Sequence, residues 1–329
     1  MKEPESLQEA AVYFSNPDNC LEYLKVRRWR DGIVRCPNCG SDQVKFIPTR
    51  RLWECKNKHK KRQFSIKVGT VMEDSAIPLD KWLMVFWMLA NCKNGVSSYE
   101  IHRDVKVTQK SAWFMLHRIR YALQDETETK LGYTGGPVEV DETFVGGKLG
   151  NMHKSKRKQM KETRNALYET GHMNKTIVMG FLDRKERRVR ATIIPNVRRD
   201  VLQNAILNQI SPCSKVYTDE AVGYQGLDIQ KYAHDVVNHL EEYVHGKVHT
   251  NGIENFWSLL KRGLKGTYVA VEPFHLHRYV DEQVFRYNNR ATKDNPLTDA
   301  DRFDLAVSQI VNKRLTYAEL TGKVGETPF

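Results

Sequence analysis

The chain of 329 residues is long enough for two or three domains and at least one sizeable core. Its 52 lysines and arginines against 40 acidic residues leave a net charge of +12, which points to a polyanionic partner, most often nucleic acid. An N-terminus (MKEPESLQEAAVYF) without a signal-peptide pattern, an apolar run at 82–90 too short for a bilayer, and six cysteines with no disulfide-framework spacing argue against secreted and membrane classes, so a soluble, cytoplasmic protein with no membrane partner is expected.

Residues 1–72 open with a short helical stretch and become rich in Cys, Gly and Lys. RCPNCGSDQ sets Cys36 and Cys39 in a knuckle, with Gly40 permitting the backbone bend behind it. WECKNKH adds Cys55 and His59. These four residues would give one structural zinc ion a tetrahedral shell of soft and borderline donors, with His59 the least distinctive of them. Basic residues surround the cluster, as on small metal-stabilised modules that handle nucleic acid.

Residues 73–131 read as helical. WLMVFWMLAN predicts a buried helix. In NGVSSYEIHRDVKVTQKSAWFMLHRIRYAL, Ser97 or Ser98 and then Thr108 can cap two helices across a turn at 105–107, a helix-turn-helix pattern. Ala112, Trp113, Leu116 and Ile119 are expected inward, and Gln109, Lys110, His117, Arg118 and Arg120 elsewhere. Lys110, Arg118 and Arg120 are the candidate DNA contacts of this segment.

A linker pattern, GYTGGP, precedes a switch to β periodicity, and residues 132–295 are expected to form the α/β core. VEVDETFVGG, KTIVMGFLD and RRVRATIIPN alternate Val, Ile and Thr as strands do. Residues 148–175 form a basic insertion too long for an ordinary hairpin connection, with Lys154, Lys156, Arg157 and Lys158 expected on DNA phosphates. A helix at about 199–209, a strand KVYTD and two further helices, from HTNGIENFWSLLKRG and HLHRYVDEQVFRYNNR, follow. Residues 296–329 are expected as a helical C-terminal tail. The fold class read from this pattern is multidomain α+β with a mixed sheet.

HTNGIENFWSLLKRG has an apolar side (Ile253, Phe256, Trp257, Leu260) and a polar side (Asn251, Glu254, Ser258, Lys261). Asp141 interrupts an apolar strand, and Asp219 ends another. Burying such a charge without a partner costs several kcal/mol, on the order of the penalty for an unpaired ion. In a mixed sheet, strand ends and a packed helix can bring Asp141, Asp219 and Glu254 together. Carboxylates so placed repel unless divalent cations neutralise them, and hard oxygen ligands select Mg2+ or Mn2+. Two such ions roughly 4 Å apart would drive phosphodiester chemistry. Lys261 and Arg262 follow on the helix, placed to meet DNA. Glu142 and Glu220 are expected on the opposite face, His245 and His249 as surface or satisfied histidines, and Gly146 and Gly147 in a turn.

The chain resembles the zinc-ribbon DDE transposases of bacterial insertion sequences, the ISXO2-like family with a ribonuclease-H-like core. CPNCGS, WEC, QFSIKVGTVMEDSAIPLDKW, SAWFMLHRIRYAL, VYTDEAVGYQGL and VDEQVFRYNNR carry the resemblance over nearly the whole length, and DETFVGGK and NGIENFWSLLKRG are its most specific parts. It implies an N-terminal zinc ribbon, a DNA-binding helical segment and an acidic triad holding two metal ions. Asp141 and Asp219 correspond to the first two acids. Glu254 and Asn251 both stand where the third belongs, and Glu254 is favoured because a carboxylate binds a divalent ion better than an amide. Lys261 takes the place of the basic partner. The implied reaction is hydrolysis at the terminal inverted repeats, freeing a 3′ hydroxyl that attacks target DNA, carried out by a dimer or larger assembly. The rival expectations are a zinc-ribbon DNA-binding regulator on an inactive core, and a ribonuclease-H-like nuclease or resolvase that cuts without joining.

Overall fold

The computed structural model describes residues 2–125, 127–147, 153–155, 158, 175–219, 222–227, 232–237, 249–293 and 295–323. In chain order, the helices are α1 (Leu7–Phe14), α2 (Pro17–Arg28), α3 (Leu79–Asn91), α4 (Ser98–Val105), α5 (Gln109–Ala122), α6 (Arg199–Gln209), α7 (Asn251–Gly263), α8 (Leu276–Asn288), α9 (Asp299–Ser308) and α10 (Tyr317–Leu320). The strands are β1 (Val44–Ile47), β2 (Leu52–Cys55), β3 (Gln63–Phe64), β4 (Val138–Val145), β5 (Thr176–Asp183), β6 (Arg188–Ile194), β7 (Lys215–Asp219) and β8 (Ala233–Val237). They gather into two compact units: residues 1–124 with 289–327, and residues 125–288 with 328–329. The chain is therefore a multidomain α+β protein.

In the first unit, β1, β2 and β3 form a small antiparallel sheet. Its core is aromatic. Trp53 is buried, stacks on Phe64 at 6.0 Å and takes the edge of Trp29 at 5.7 Å. The helix pair appears where the caps predict it. Ser97 and Glu100 form a capping box at α4, and the Thr108 hydroxyl accepts from the Ser111 N–H at the start of α5. Residues 289–327 belong to this unit. Phe303 of α9 packs its ring 4.9 Å from Trp87 on α3 and 5.3 Å from Tyr23 on α2. A bridge also ties Thr70 to Val311.

This packing corrects the expectation for α5. Arg118, Arg120 and His117 are all buried. The Arg118 guanidinium donates to the Glu73 carbonyl at 2.7 Å and the Leu315 carbonyl at 3.0 Å. The C-terminal segment thus covers the helix side that periodicity leaves polar, and the long cationic side chain lies along apolar surface with its head on backbone oxygens. Arg118 and Arg120, expected as DNA contacts, are thus held inside the fold. Lys110, on the first turn of α5, is exposed, with its ammonium 4.9 Å from the Tyr317 ring centroid.

In the second unit, five strands form one mixed sheet in the order β6-β5-β4-β7-β8, with β4 antiparallel to β5 and parallel to β7. Alternation along β4 splits its side chains between two cores. Val138 and Val140 join Phe181, Leu202 and Ile206 on the α6 face. On the other face Val178 and Leu182 meet Ile253, Phe256, Trp257 and Leu260 of α7 and Tyr279 and Val284 of α8. Three layers result, the ribonuclease-H-like arrangement, with α7 laid across the face that Glu139 and Asp141 share. β8 was not anticipated, because AHDVV lacks a clear apolar alternation.

Candidate active site and metal cluster

Asp141 sits mid-strand on β4, and Asp219 at the end of the parallel neighbour β7. Glu254 and Asn251 are exposed on the first turns of α7, Lys261 is half-buried two turns beyond Glu254, and Arg262 is exposed. Burial pushes the Asp141 carboxyl up to about 6. A hydrogen bond from the Trp257 indole opposes the rise, and the charges of Asp219 and Glu254 add to it. Side chains from β4, β7 and α7 thus share one electrostatic neighbourhood. Glu142 faces the opposite layer, as expected of the next residue on a strand. Burial and the charges of Asp219 and Asp141 raise it to about 7, and the Tyr224 phenol lies beside it.

The site is held from behind by contacts that sequence reading did not find. Trp257 Nε1 donates to Asp141 Oδ2 at 2.9 Å. The indole has room only because Gly180, the register partner of Asp141, lacks a side chain. A Cβ there would stand 2.5 Å from the Trp257 ring. Glu139, two residues before Asp141 on the same strand face, is 1% exposed. Its carboxylate accepts from the Ile253 N–H at 2.8 Å and from Arg184 Nε. Arg184 also donates to the His249 carbonyl, and its guanidinium stands 2.7 Å from His249 Nδ1. The Thr250 side chain does not cap α7; its hydroxyl donates to Glu254 Oε1 at 3.0 Å. Glu139 therefore serves one of the free N–H groups at the start of α7, from the sheet face on which the helix lies. Gly252 makes this possible, since a Cβ there would lie 2.8 Å from the Glu139 carboxylate and 2.3 Å from Leu182. One signal was legible in principle: Glu139 and Asp141 are two acids at alternate positions of one apolar strand.

Of the other expected residues, Lys154 and Lys158 are exposed. Lys156, Arg157, Glu220 and His245 lie outside the described residues.

In the first unit, ligand atoms of Cys36, Cys39, Cys55 and His59 all lie within 4.8 Å of one another. Cys36 Sγ is 3.5 Å from His59 Nε2, and Cys39 Sγ is 3.6 Å from Cys55 Sγ. A zinc–sulfur bond of about 2.3 Å makes the edge of a tetrahedron about 3.8 Å, so these spacings fit the ion. A backbone hydrogen bond from Ser41, with help from the Cys55 and Cys36 thiols, holds the Cys39 thiol down at about 7. His59 Nδ1 is 2.7 Å from the Lys60 carbonyl. A carbonyl can only accept, so Nδ1 carries the proton and Nε2 is left to ligate.

Residues 134–288 match the ISXO2-like transposase domain, and residues 15–60 match the transposase zinc-ribbon domain. A transposase-like protein of Haemophilus influenzae is 32% identical over 106 residues, which cover 32% of this chain and 85% of the relative. A protein in transposable element ISH50 of Halobacterium salinarum is 28% identical over 244 residues, or 72% of this chain and 79% of the relative. Among solved structures, the cryo-EM simian T-cell lymphotropic virus intasome in complex with a PP2A regulatory subunit aligns at a TM-score of 0.30 and 12% identity, over 66% of this chain and 74% of that one, a likeness too loose to bear on this chain. The two domain matches and the Cys3His cluster together define the class of zinc-ribbon transposases with a DDE-type domain. The chain belongs to the ISXO2-like transposase family of insertion sequences. No helix among the described residues is long and apolar enough to cross a membrane.

Proposed function

We propose that the protein cuts and rejoins DNA at the terminal inverted repeats of its own insertion sequence, with Asp141, Asp219 and Glu254 holding two Mg2+ or Mn2+ ions. The observation that carries this reading is that the charges of Asp219 on β7 and Glu254 on α7 are both felt at the Asp141 carboxyl on β4, which burial already pushes up to about 6. When bound, such ions supply the positive charge that lets the carboxylates coexist and the Lewis acidity that phosphodiester displacement needs. The protein's own part is positioning. Trp257 fixes the Asp141 carboxylate, Thr250 orients Glu254, and Lys261 stands seven residues along the same helix to meet a phosphate. Glu254 is preferred over Asn251 because its charge is felt at Asp141. A structural zinc ion on Cys36, Cys39, Cys55 and His59 would stabilise the ribbon. The ribbon and the helix pair, with Lys110 at its exposed start, would hold the repeats, and Lys154, Lys156, Arg157, Lys158 and Arg262 would follow phosphates. Both element ends must be processed together, so a dimer or larger assembly on cytoplasmic DNA is expected.

The test is strand cleavage and joining on DNA carrying the element's repeats, with Mg2+ or Mn2+. Glu254→Ala should abolish both steps, and Asn251→Ala should leave them measurable. The opposite pattern would move the third ligand to Asn251. Tight binding by the wild type without cleavage would replace the transposase by a DNA-binding regulator, and cleavage without joining by a nuclease.

A further inference from the structure

Immediately after α7 the chain makes one π-helical turn, Leu264–Tyr268, and then an abrupt bend at Val269. Val269 has φ 61° and ψ −58°, and the Ala270 N–H donates to the Tyr268 carbonyl at 2.6 Å. This is a three-residue γ-turn of the rare, strained hand. For a β-branched residue a positive φ is a genuine outlier. Val269 is also 79% exposed, so the strain does not serve to bury its side chain. Glycine would adopt this backbone without strain, and the same stretch uses glycine at 263 and 266.

Both sides of the bend are strapped down. The Tyr268 hydroxyl donates to the buried Glu282 carboxylate, which also receives Arg286, and the Tyr268 ring lies 4.7 Å from that of Tyr279. Val271 packs against the α7–α8 core. An anchored tyrosine on one side and a packed valine on the other force Val269 outward. Strain held in place by its surroundings is characteristic of ligand-contacting segments. The flanks identify the ligand's charge. Arg262 and Lys265 are exposed, and Glu272 is the only acid between 261 and 272. Gly266 has open space where a Cβ would stand, so an incoming backbone can approach closely.

We propose that residues 265–270 form a DNA-engaging tip, in which Val269 presses against or between bases as an apolar wedge while Arg262 and Lys265 hold the flanking phosphates. This inference rests on the reading of the protein as a DNA-acting transposase. The probe is a duplex ending in the element's terminal repeat, with 2-aminopurine at successive steps to report unstacking. Val269→Gly should be at least as stable as wild type in urea, because it relieves the backbone. It should nevertheless bind the duplex about tenfold more weakly and lose the fluorescence rise that wild type produces. Lys265→Ala should lower the slope of log affinity against log salt by about one phosphate contact. Unchanged affinity and fluorescence in Val269→Gly, or a wild type with no affinity for the duplex, overturns the tip. Because the readout is binding, a protein that engages DNA through Val269 yet never cuts would sink the catalytic reading alone. Normal cutting with an indifferent Val269 would sink the tip alone.

Discussion

Trp257 belongs to two structures at once: its ring fills the core between α7 and the sheet, and its single N–H reaches Asp141. Trp257→Phe keeps most of the ring and removes the donor. A hydrogen bond to a charged group is worth about 1.5–3 kcal/mol, so cleavage should fall by at least tenfold at saturating DNA, with urea stability changed much less. Equal losses in rate and stability would show the indole to be core packing only. This contact also marks where the sequence stops being legible. Asp141, Asp219, Glu254 and Lys261 stand out as charged residues in apolar or amphipathic surroundings, and that is a local signal. The roles of Trp257, Gly180 and Gly252 are not local. A tryptophan at core spacing reads as core, and nothing in the chain says that a glycine 77 positions earlier leaves room for it. Arg118 was misread for the same reason, since the Leu315 carbonyl that takes its guanidinium is nearly 200 residues away in sequence.

Helix and strand boundaries were largely readable because caps and alternation are written in adjacent residues, as at Ser97, Thr108 and along β4 to β6. The start of α8, expected from HLHRYVDEQVFRYNNR and found at Leu276, carries a pH dependence. His277 is pushed down to about 4, by burial first and by the charges of Arg278 and His275 next. Its unfolded value lies near 6.5. Between about 6.5 and 4 the unfolded chain therefore binds the extra proton, and stability rises with pH. The contribution of neutral His277 is complete above about 6.5 and is lost progressively as pH falls towards 4, up to about 3 kcal/mol in all. Urea midpoints of the second unit measured across this window should flatten in His277→Leu. An equally steep profile in that variant would place the titration elsewhere.

At the scale of the whole molecule, the first unit is built from two stretches of chain, 1–124 and 289–327, that flank in sequence the main segment, 125–288, of the second unit. Phe303 is the clearest joint, wedged among Phe14, Tyr23 and Trp87. Phe303→Ala should cost about 3–5 kcal/mol, and the loss should appear in the unit that holds the ribbon and helix pair. Hydrogen exchange that loosened only α9, leaving α2 and α3 protected, would contradict this. During synthesis this arrangement imposes an order. Residues 125–288 leave the ribosome with every strand of their sheet available, whereas α2 and α3 wait with an apolar face uncovered until residues 289–323 emerge. The half that would recognise DNA is thus finished after the half that would cut it. A chain broken off before α9 is made would keep a cutting unit able to fold while its addressing unit stayed uncovered, so such products would find the element's ends poorly.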